Sequence, residues 1–329
     1  MKINNEIYLN YKIQSLLAYI SENWERVKKK DITIRDIIRA VDCRAGPDEI
    51  FKYVNSEIIW PDIDKADLNF DRKIFIAINQ GIEIISICSD EYPALLREYG
   101  HGDKVYPPLV LYRLGRPIPD KPMVAVVGTR NPSDKGRELA REIGAELARR
   151  GYAVVTGFAK GIDEEAVNGA QDASGHIVGV LPWLYEDEDL TELANFDSLH
   201  QLINMGYSDF TVLSEHLIKK DSSIRSWLAM RNRIISGMSI AVIIPETRYK
   251  QERWGTRHQV KFGIKAGRKV LIMKPRVNDK DIRKGFSEFK KAGAEAVSTI
   301  DELIKKVDDL KEEIVNKQKI QQQTLDNWF

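Results

Sequence analysis

The sequence predicts an α/β protein: a doubly wound, mostly parallel sheet with a small helical N-terminal domain. Two observations carry this. From Met123 onward, short continuous apolar runs alternate with amphipathic stretches at helical spacing. That is the pattern of βαβ units whose strands are buried on both faces. Before that point, residues 1–80 show apolar positions at helical spacing only. The 329 residues are enough for about two domains with real cores.

In chain order, Leu16, Leu17 and Ile20, then Ile34, Ile37 and Ile38, mark the helical segment, with Gly46-Pro47 as a break. Residues 1–80 are expected to form the N-terminal domain. Residues 81–300 are expected to form the main domain, with 81–122 as its lead-in. Met123–Val127 reads as the first buried strand. Asp134–Arg150 follows as a helix with Leu139, Ile143 and Leu147 on one face. Ala153–Val155, Ile177–Leu181, Thr211–Leu213, Ile240–Ile244 and Val270–Met273 read as further strands, with helices between them. Residues 301–329 are expected to be a polar helix and a tail.

Composition narrows the function classes. Hydrophobic residues at 43% and charged residues at 30% are ordinary for a soluble chain. Cys43 and Cys88 are the only cysteines, too few and too far apart for a disulfide framework or metal cluster, so a reducing cytoplasm is expected. No apolar stretch approaches the ~20 residues of a membrane span, and the N-terminus shows no signal-peptide pattern. Five scattered His residues without HExxH spacing give no reason to expect a metal. No cofactor is expected either. The net charge of +1 conceals a segregation: residues 219–276 hold 15 Lys and Arg against Asp221, Glu246 and Glu252. That stretch carries +12 and the rest of the chain −11, and a broad basic field of this kind suits a polyanion.

Four segments carry Gly and small polar residues where strands are expected to hand over to helices: Gly128-Thr129-Arg130-Asn131-Pro132-Ser133, Thr156-Gly157-Phe158-Ala159-Lys160-Gly161, Arg231-Asn232-Arg233 entering a helical run, and Trp254-Gly255-Thr256. Ligands of open parallel sheets bind outside the carboxyl ends of the strands. There Gly exposes backbone N–H groups, helix N-termini favour anions, and Arg supplies forked donors. Any one such turn is ordinary, but four together point to phosphate. No GxGxxG follows the first strand, which excludes the nicotinamide fingerprint. Arg257, Lys261 and Lys265 share a face if their segment is helical.

These segments resemble the DNA-processing protein A (DprA/Smf) family. Val126-Val127-Gly128-Thr129-Arg130-Asn131-Pro132-Ser133 is similar to its VGSRxPS opening, Thr156 through Asp163 to its SGxAxGID motif, and Arg231 through Ser239 to its RNRIIAGLS motif. Leu213-Ser214-Glu215 matches its SE segment. Asp90-Glu91-Tyr92-Pro93 and Pro107-Pro108-Leu109 match its lead-in. The resemblance implies a Rossmann-like domain that binds single-stranded or branched DNA, forms homodimers, and hands DNA to a RecA-type recombinase without being an enzyme. Carried over by motif, the DNA phosphates would meet Gly128, Thr129, Arg130, Ser133, Thr156, Gly157, Lys160, Gly161, Arg231, Asn232, Arg233, Gly255, Thr256, Arg257 and Lys261. Phe158 would offer a stacking face or serve as a core aromatic. Three positions depart from the family: Val167 stands where it has His, acidic Glu186-Asp187-Glu188-Asp189 replaces its YPxxN segment, and SGSLxT is reduced to Gly255-Thr256.

Gln322, Leu325, Trp328 and Phe329 stand at i, i+3, i+6 and i+7. They resemble the box by which archaeal and eukaryotic proteins dock on the sliding clamp (PCNA). In that reading a 3₁₀ turn places the three apolar side chains on one side. The competing enzyme reading is a LOG-type phosphoribohydrolase. Its catalytic Glu position is occupied here by Gln259, an amide that cannot act as a general base; Glu215 and Glu246, near strand ends, would either substitute for it or salt-bridge to neighbouring cations. A sensor of a nucleotide-like molecule is the third reading.

Overall fold

The computed structural model describes residues 68–98, 106–221, 224–249 and 255–326, with a few helical positions between 14 and 21. Among the described residues, nine strands form one sheet. These are β1 (Glu83–Ser86), β2 (Val110–Gly115), β3 (Met123–Val126), β4 (Ala153–Thr156), β5 (Ile177–Leu181), β6 (Phe210–Ser214), β7 (Ala241–Ile244), β8 (Lys269–Met273) and β9 (Glu295–Val297). The helices are α1 (Leu68–Asn79), α2 (Ala94–Arg97), α3 (Asp134–Arg149), α4 (Ile162–Asp172), α5 (Asp197–Asn204), α6 (Ile224–Met238), α7 (Gly255–Lys265), α8 (Lys280–Lys291) and α9 (Ile300–Asp326).

The strand order is β1-β2-β6-β5-β4-β3-β7-β8-β9. β5, β4, β3, β7, β8 and β9 pair in parallel, while β1 and β2, and β2 and β6, are antiparallel. From β3 the chain steps one way through β4 and β5; from β7 it steps the other way through β8 and β9. The switch in direction therefore falls between β3 and β7, where open α/β sheets hold their ligands. The doubly wound, mostly parallel sheet read from the sequence is the observed one. β3, β4, β5 and β7 are buried at every position, which is why they read as unbroken apolar runs. β1, β2 and β9 carried no such signal. β1 and β9 are short edge strands with a polar residue in front, and β2 contains Arg113.

The chain divides into two compact units. One comprises residues 1–118, 180–195 and 211–234; the other comprises 119–179, 196–210 and 235–329. Leu17, Ala18 and Ile20, from the expected N-terminal helices, are buried; Leu16, Ile34, Ile37 and Ile38 lie outside the described residues. In the first unit Arg113 is 4% exposed and ion-paired with Glu83 and Glu91. A charge on a buried strand is tolerated because it is neutralised in place. The acidic run Glu186–Asp189 is split: Glu188 and Asp189 are exposed, whereas Glu186 and Asp187 are held by neighbouring donors. Glu186 accepts from Trp183 Nε1, Asn195 N and Lys219 Nζ, and Asp187 accepts from the backbone N–H groups of Thr191 and Glu192.

In the second unit α3 begins at Ser133, whose Oγ accepts from Gly136 N at 3.1 Å, a side-chain cap in front of Asp134. Arg149 stands in its last turn. α3 and α4 approach backbone to backbone through two glycines. A Cβ on Gly144 would run into the carbonyl of Ala166, and one on Gly169 into the carbonyl of Arg141. α9 is anchored by its first turns: Leu303, Ile304 and Val307 are buried, and Asp308 accepts from Arg150 Nη1 at 3.0 Å and Tyr152 Oη at 2.6 Å. Among the described residues no helix is long and apolar enough to cross a membrane.

The glycine contact gives a direct test. Gly169→Ala forces backbone apart rather than a flexible side chain, so it is expected to destabilise the chain by about 2–3 kcal/mol or more. Thermal unfolding by circular dichroism measures this, with the exposed Gly151 (also a glycine near these helices, φ 79°) left intact as the background.

Candidate nucleic-acid interface

The first two Gly segments come together at the carboxyl ends of β3 and β4. Gly128 follows β3 and Gly157 follows β4. Both direct their N–H at one carboxylate, that of Asp163: Gly128 N to Oδ1 is 3.3 Å and Gly157 N to Oδ2 is 2.9 Å. Asp163 is 4% exposed and sits in the first turn of α4, where the helix dipole favours a negative charge. Thr129 O accepts from Ile162 N at 3.1 Å, and a Cβ on Gly161 (φ 89°) would meet Thr129 O and the Arg130 carbonyl carbon. Gly161 is thus required both by its left-handed backbone and by the closeness of the neighbouring loop.

A second carboxylate stands at the switch in strand direction. Glu246, just past β7, accepts from Ser133 N at 2.7 Å and from Ser133 Oγ at 2.5 Å. Its backbone O accepts from Thr129 N at 3.1 Å. The N-terminus of α3 is therefore supplied with an anion by the chain itself. Neither Asp163 nor Glu246 stood among the phosphate ligands read from the sequence. The signal for Asp163 was its place right after the Gly161-Ile162 pair, in a helix's first turn; that for Glu246 was its place near a strand end.

The remaining positions divide by exposure. Thr129 and Thr156 are buried; Thr129 Oγ1 accepts from Asn131 N, and Thr156 Oγ1 from Phe158 N. Phe158 has φ 52° and is 2% exposed. Its ring occupies the space a side chain at Gly179 would need. Of its two readings the geometry supports the core aromatic. Arg130 and Lys160 are exposed, and Lys160 Nζ lies 2.9 Å from Asp197. That carboxylate, by hydrogen bond and charge, raises the lysine's pKa and keeps it cationic.

Arg231-Asn232-Arg233 does not open a helix, as the strand-to-helix reading had it. The three residues lie well inside α6, because Ser226, Trp227 and Leu228 already continue the helix on their N-terminal side. All three are buried in the first unit. Arg231 Nη1 donates to Val180 O at 2.8 Å. Arg233 forks onto Glu215, with Nη2 at 2.7 and 2.8 Å from its two oxygens, while Nε donates to Tyr106 O at 2.9 Å. Tyr92 Oη donates to Pro108 O at 2.8 Å, which joins the two lead-in motifs. Burial pushes the Glu215 carboxyl up, but the Arg233 charge, with His216 and the Arg233 hydrogen bonds, outweighs it and holds Glu215 below the usual carboxylate range.

The fourth segment starts α7. Trp254 lies outside the described residues. Thr256 is buried and Gly255 exposed. Arg257, Lys261 and Lys265 are exposed along one face of α7, opposite buried Val260 and Gly263. His258 is held below its ordinary pKa, chiefly by burial and then by Lys261 and Arg257. Gln259 is buried, and its Oε1 accepts from Ser236 Oγ at 2.8 Å. Among the described residues no cluster of His, Cys, Asp or Glu has the form of a metal site. The backbone of Gln322 and Leu325 continues α9 rather than a 3₁₀ turn, as befits a Gln-rich, helix-favouring stretch. Trp328 and Phe329 lie outside the described residues.

Comparison with known proteins agrees with these motifs. Residues 83–308 match the model of the DNA recombination-mediator protein A family. The chain belongs to that family. The DNA processing protein DprA of Bacillus subtilis is 31% identical over 202 residues, 59% of this chain and 61% of that protein. Protein Smf of Synechocystis is 29% identical over 223 residues, 65% of this chain and 51% of its own length. The chain thus spans about half to three fifths of the length of these relatives. Two solved structures share the fold. DNA processing protein A of Streptococcus pneumoniae has a TM-score of 0.61 at 23% identity, covering 93% of this chain and 99% of that one. The Helicobacter pylori protein, described for its single-stranded DNA binding mode, has a TM-score of 0.52 at 21% identity, covering 68% of this chain and 94% of that one.

The buried ion pair makes a pH-linked prediction for this member of the family. Because Glu215 is depressed in the folded state, its contribution is present above the ordinary carboxylate pKa of about 4.3 and is lost as pH falls through the lower folded value. Arg233→Met is expected to cost about 3–5 kcal/mol at pH 7, because it strands a buried carboxylate. The deficit should shrink once pH falls well below 4.3. Urea unfolding at pH 7 and under acid conditions measures both.

Proposed function

We propose that this chain is a non-enzymatic, single-stranded DNA-binding accessory protein of DNA recombination, repair or processing, held to DNA by phosphate contacts and to a sliding clamp by its C-terminus. The observation that carries the DNA reading is the exposed cationic face of α7. Arg257, Lys261 and Lys265 recur on one side of a helix within a stretch bearing +12. Arg130 and Lys160 add exposed charge at the loops of β3 and β4. Gly128, Gly157 and Ser133 shape those loops, since their donors already serve Asp163 and Glu246. Buried Arg231, Asn232 and Arg233 act in this reading by fixing α6, with Arg233 holding Glu215. Membership of the family and the printed description of the Helicobacter pylori protein support the same ligand class. Gln259, tied to Ser236, supports a non-enzymatic role, because the position a phosphoribohydrolase would give to its Glu is a bound amide. A homodimer and a RecA-type recombinase are further partners of this reading, in a cytoplasmic setting.

Each cation that neutralises a phosphate of a single strand adds about 0.7 to the slope of log affinity against log salt. Replacing Arg257, Lys261 and Lys265 together with Ala is expected to reduce that slope by about 2 and to weaken oligo(dT) binding at low salt. Fluorescence anisotropy over a salt series reads both quantities. An unchanged slope, or a wild-type chain that binds no single strand even at low salt, removes the reading.

The clamp arm rests on Gln322, Leu325, Trp328 and Phe329 and on the polar helix that leads to them. Deleting residues 325–329 is expected to abolish pull-down by a sliding clamp while oligo(dT) affinity stays as in the full chain. Clamp capture that survives the deletion overturns this arm alone.

A further inference from the structure

With Phe158 buried against Gly179, the base-stacking face expected of a single-strand binder must come from another aromatic. We propose that Trp227, stacked on His216 with Lys220 over its ring, is a base-stacking subsite for single-stranded nucleic acid. The proposal rests on the DNA reading above and deepens it by naming where a base, rather than a phosphate, is held.

The observations lie within one compact unit. The His216 and Trp227 rings are parallel to within 15°, with centroids 3.7 Å apart. Trp227 is half-buried, so the pair forms a braced platform that keeps part of the indole accessible. His216 lies two residues past the carboxyl end of β6. Lys220 Nζ stands 6.0 Å from the Trp227 centroid. An indole fixed by a stacked partner loses little freedom when a base joins the stack, and a cation beside the ring meets a phosphate next to that base. The neighbouring Trp183 differs: it is 6% exposed, and its Nε1 donates to Glu186 at 3.0 Å. Trp183 braces the fold, and Trp227 is left to meet the ligand. Trp227 also stands four residues before Arg231, on the same side of α6, so the family's Arg-Asn-Arg motif anchors the helix that presents it.

The test compares oligo(dT) with a strand of equal length built of abasic residues, on the full chain, for wild type, Trp227→Ala and Trp227→Phe. Wild type is expected to bind oligo(dT) more tightly than the abasic strand. Trp227→Ala should lose about tenfold on oligo(dT), change little on the abasic strand, and keep the wild-type salt slope. Trp227→Phe should recover most of the loss. Equal weakening on both strands, which a purely structural role would produce, overturns the proposal, as does unchanged binding of oligo(dT). A wild-type chain that binds both strands equally overturns the stacking subsite alone. A wild-type chain that binds neither overturns the DNA reading with it.

Discussion

One buried carboxylate sets the geometry of the sheet's ligand edge. Asp163 gathers the N–H groups of Gly128 and Gly157 onto its two oxygens and so fixes the loops after β3 and β4 to one another. Glu246 does the same for the start of α3. In many phosphate-binding folds such N–H groups are left for the ligand. Here the chain supplies its own anions, and a buried carboxylate facing several donors is a stable arrangement. Its consequence is a division of labour. Backbone and buried side chains build the edge, and the cations that reach solvent beside it are Arg130, Lys160 and those on the face of α7.

The same division explains what could be read from the sequence. Strands buried on both faces announce themselves as Met-Val-Ala-Val or Ala-Val-Ile-Ile, and the parallel core with its switch in direction was legible from them. β2 was not, because Arg113 interrupts it and its partners Glu83 and Glu91 are remote in sequence. The loops were legible as motifs, since Gly and small polar residues cluster where β3 and β4 hand over to helices. Their hydrogen-bond partners were not. Nothing in the order of residues tells that Ser133 answers to Glu246, or Arg233 to Glu215. A motif records which residues occur together, whereas the direction of each side chain is decided by packing from elsewhere in the chain. That is why a basic motif such as Arg231-Asn232-Arg233 points inward while a less distinctive run on α7 carries the exposed charge.

Segregation of charge follows the fold. Glu186, Asp187 and Glu188, and the carboxylates of Glu215 and Glu246, are engaged by neighbouring donors. Several cations between 219 and 276 are likewise spent internally, Arg248 on Asp279 among them. Among the described residues, what remains exposed is a narrower field than the +12 of the sequence: Arg257, Lys261 and Lys265 on α7, with Lys220, Arg225, Lys269, Lys274 and Arg276 elsewhere.

The close seam between α3 and α4 bears on how loss-of-function screens of this chain should be interpreted. Gly144 and Gly169 lie far along their helices from the loops, yet they set the spacing of the two backbones whose N-terminal ends carry those loops. A side chain at either position would be scored in a binding screen beside any residue that does meet a ligand, although its own effect is on the seam. Only a readout of folding separates the two kinds of hit. A map of binding-defective positions drawn without it would extend the interface into the interior of the protein.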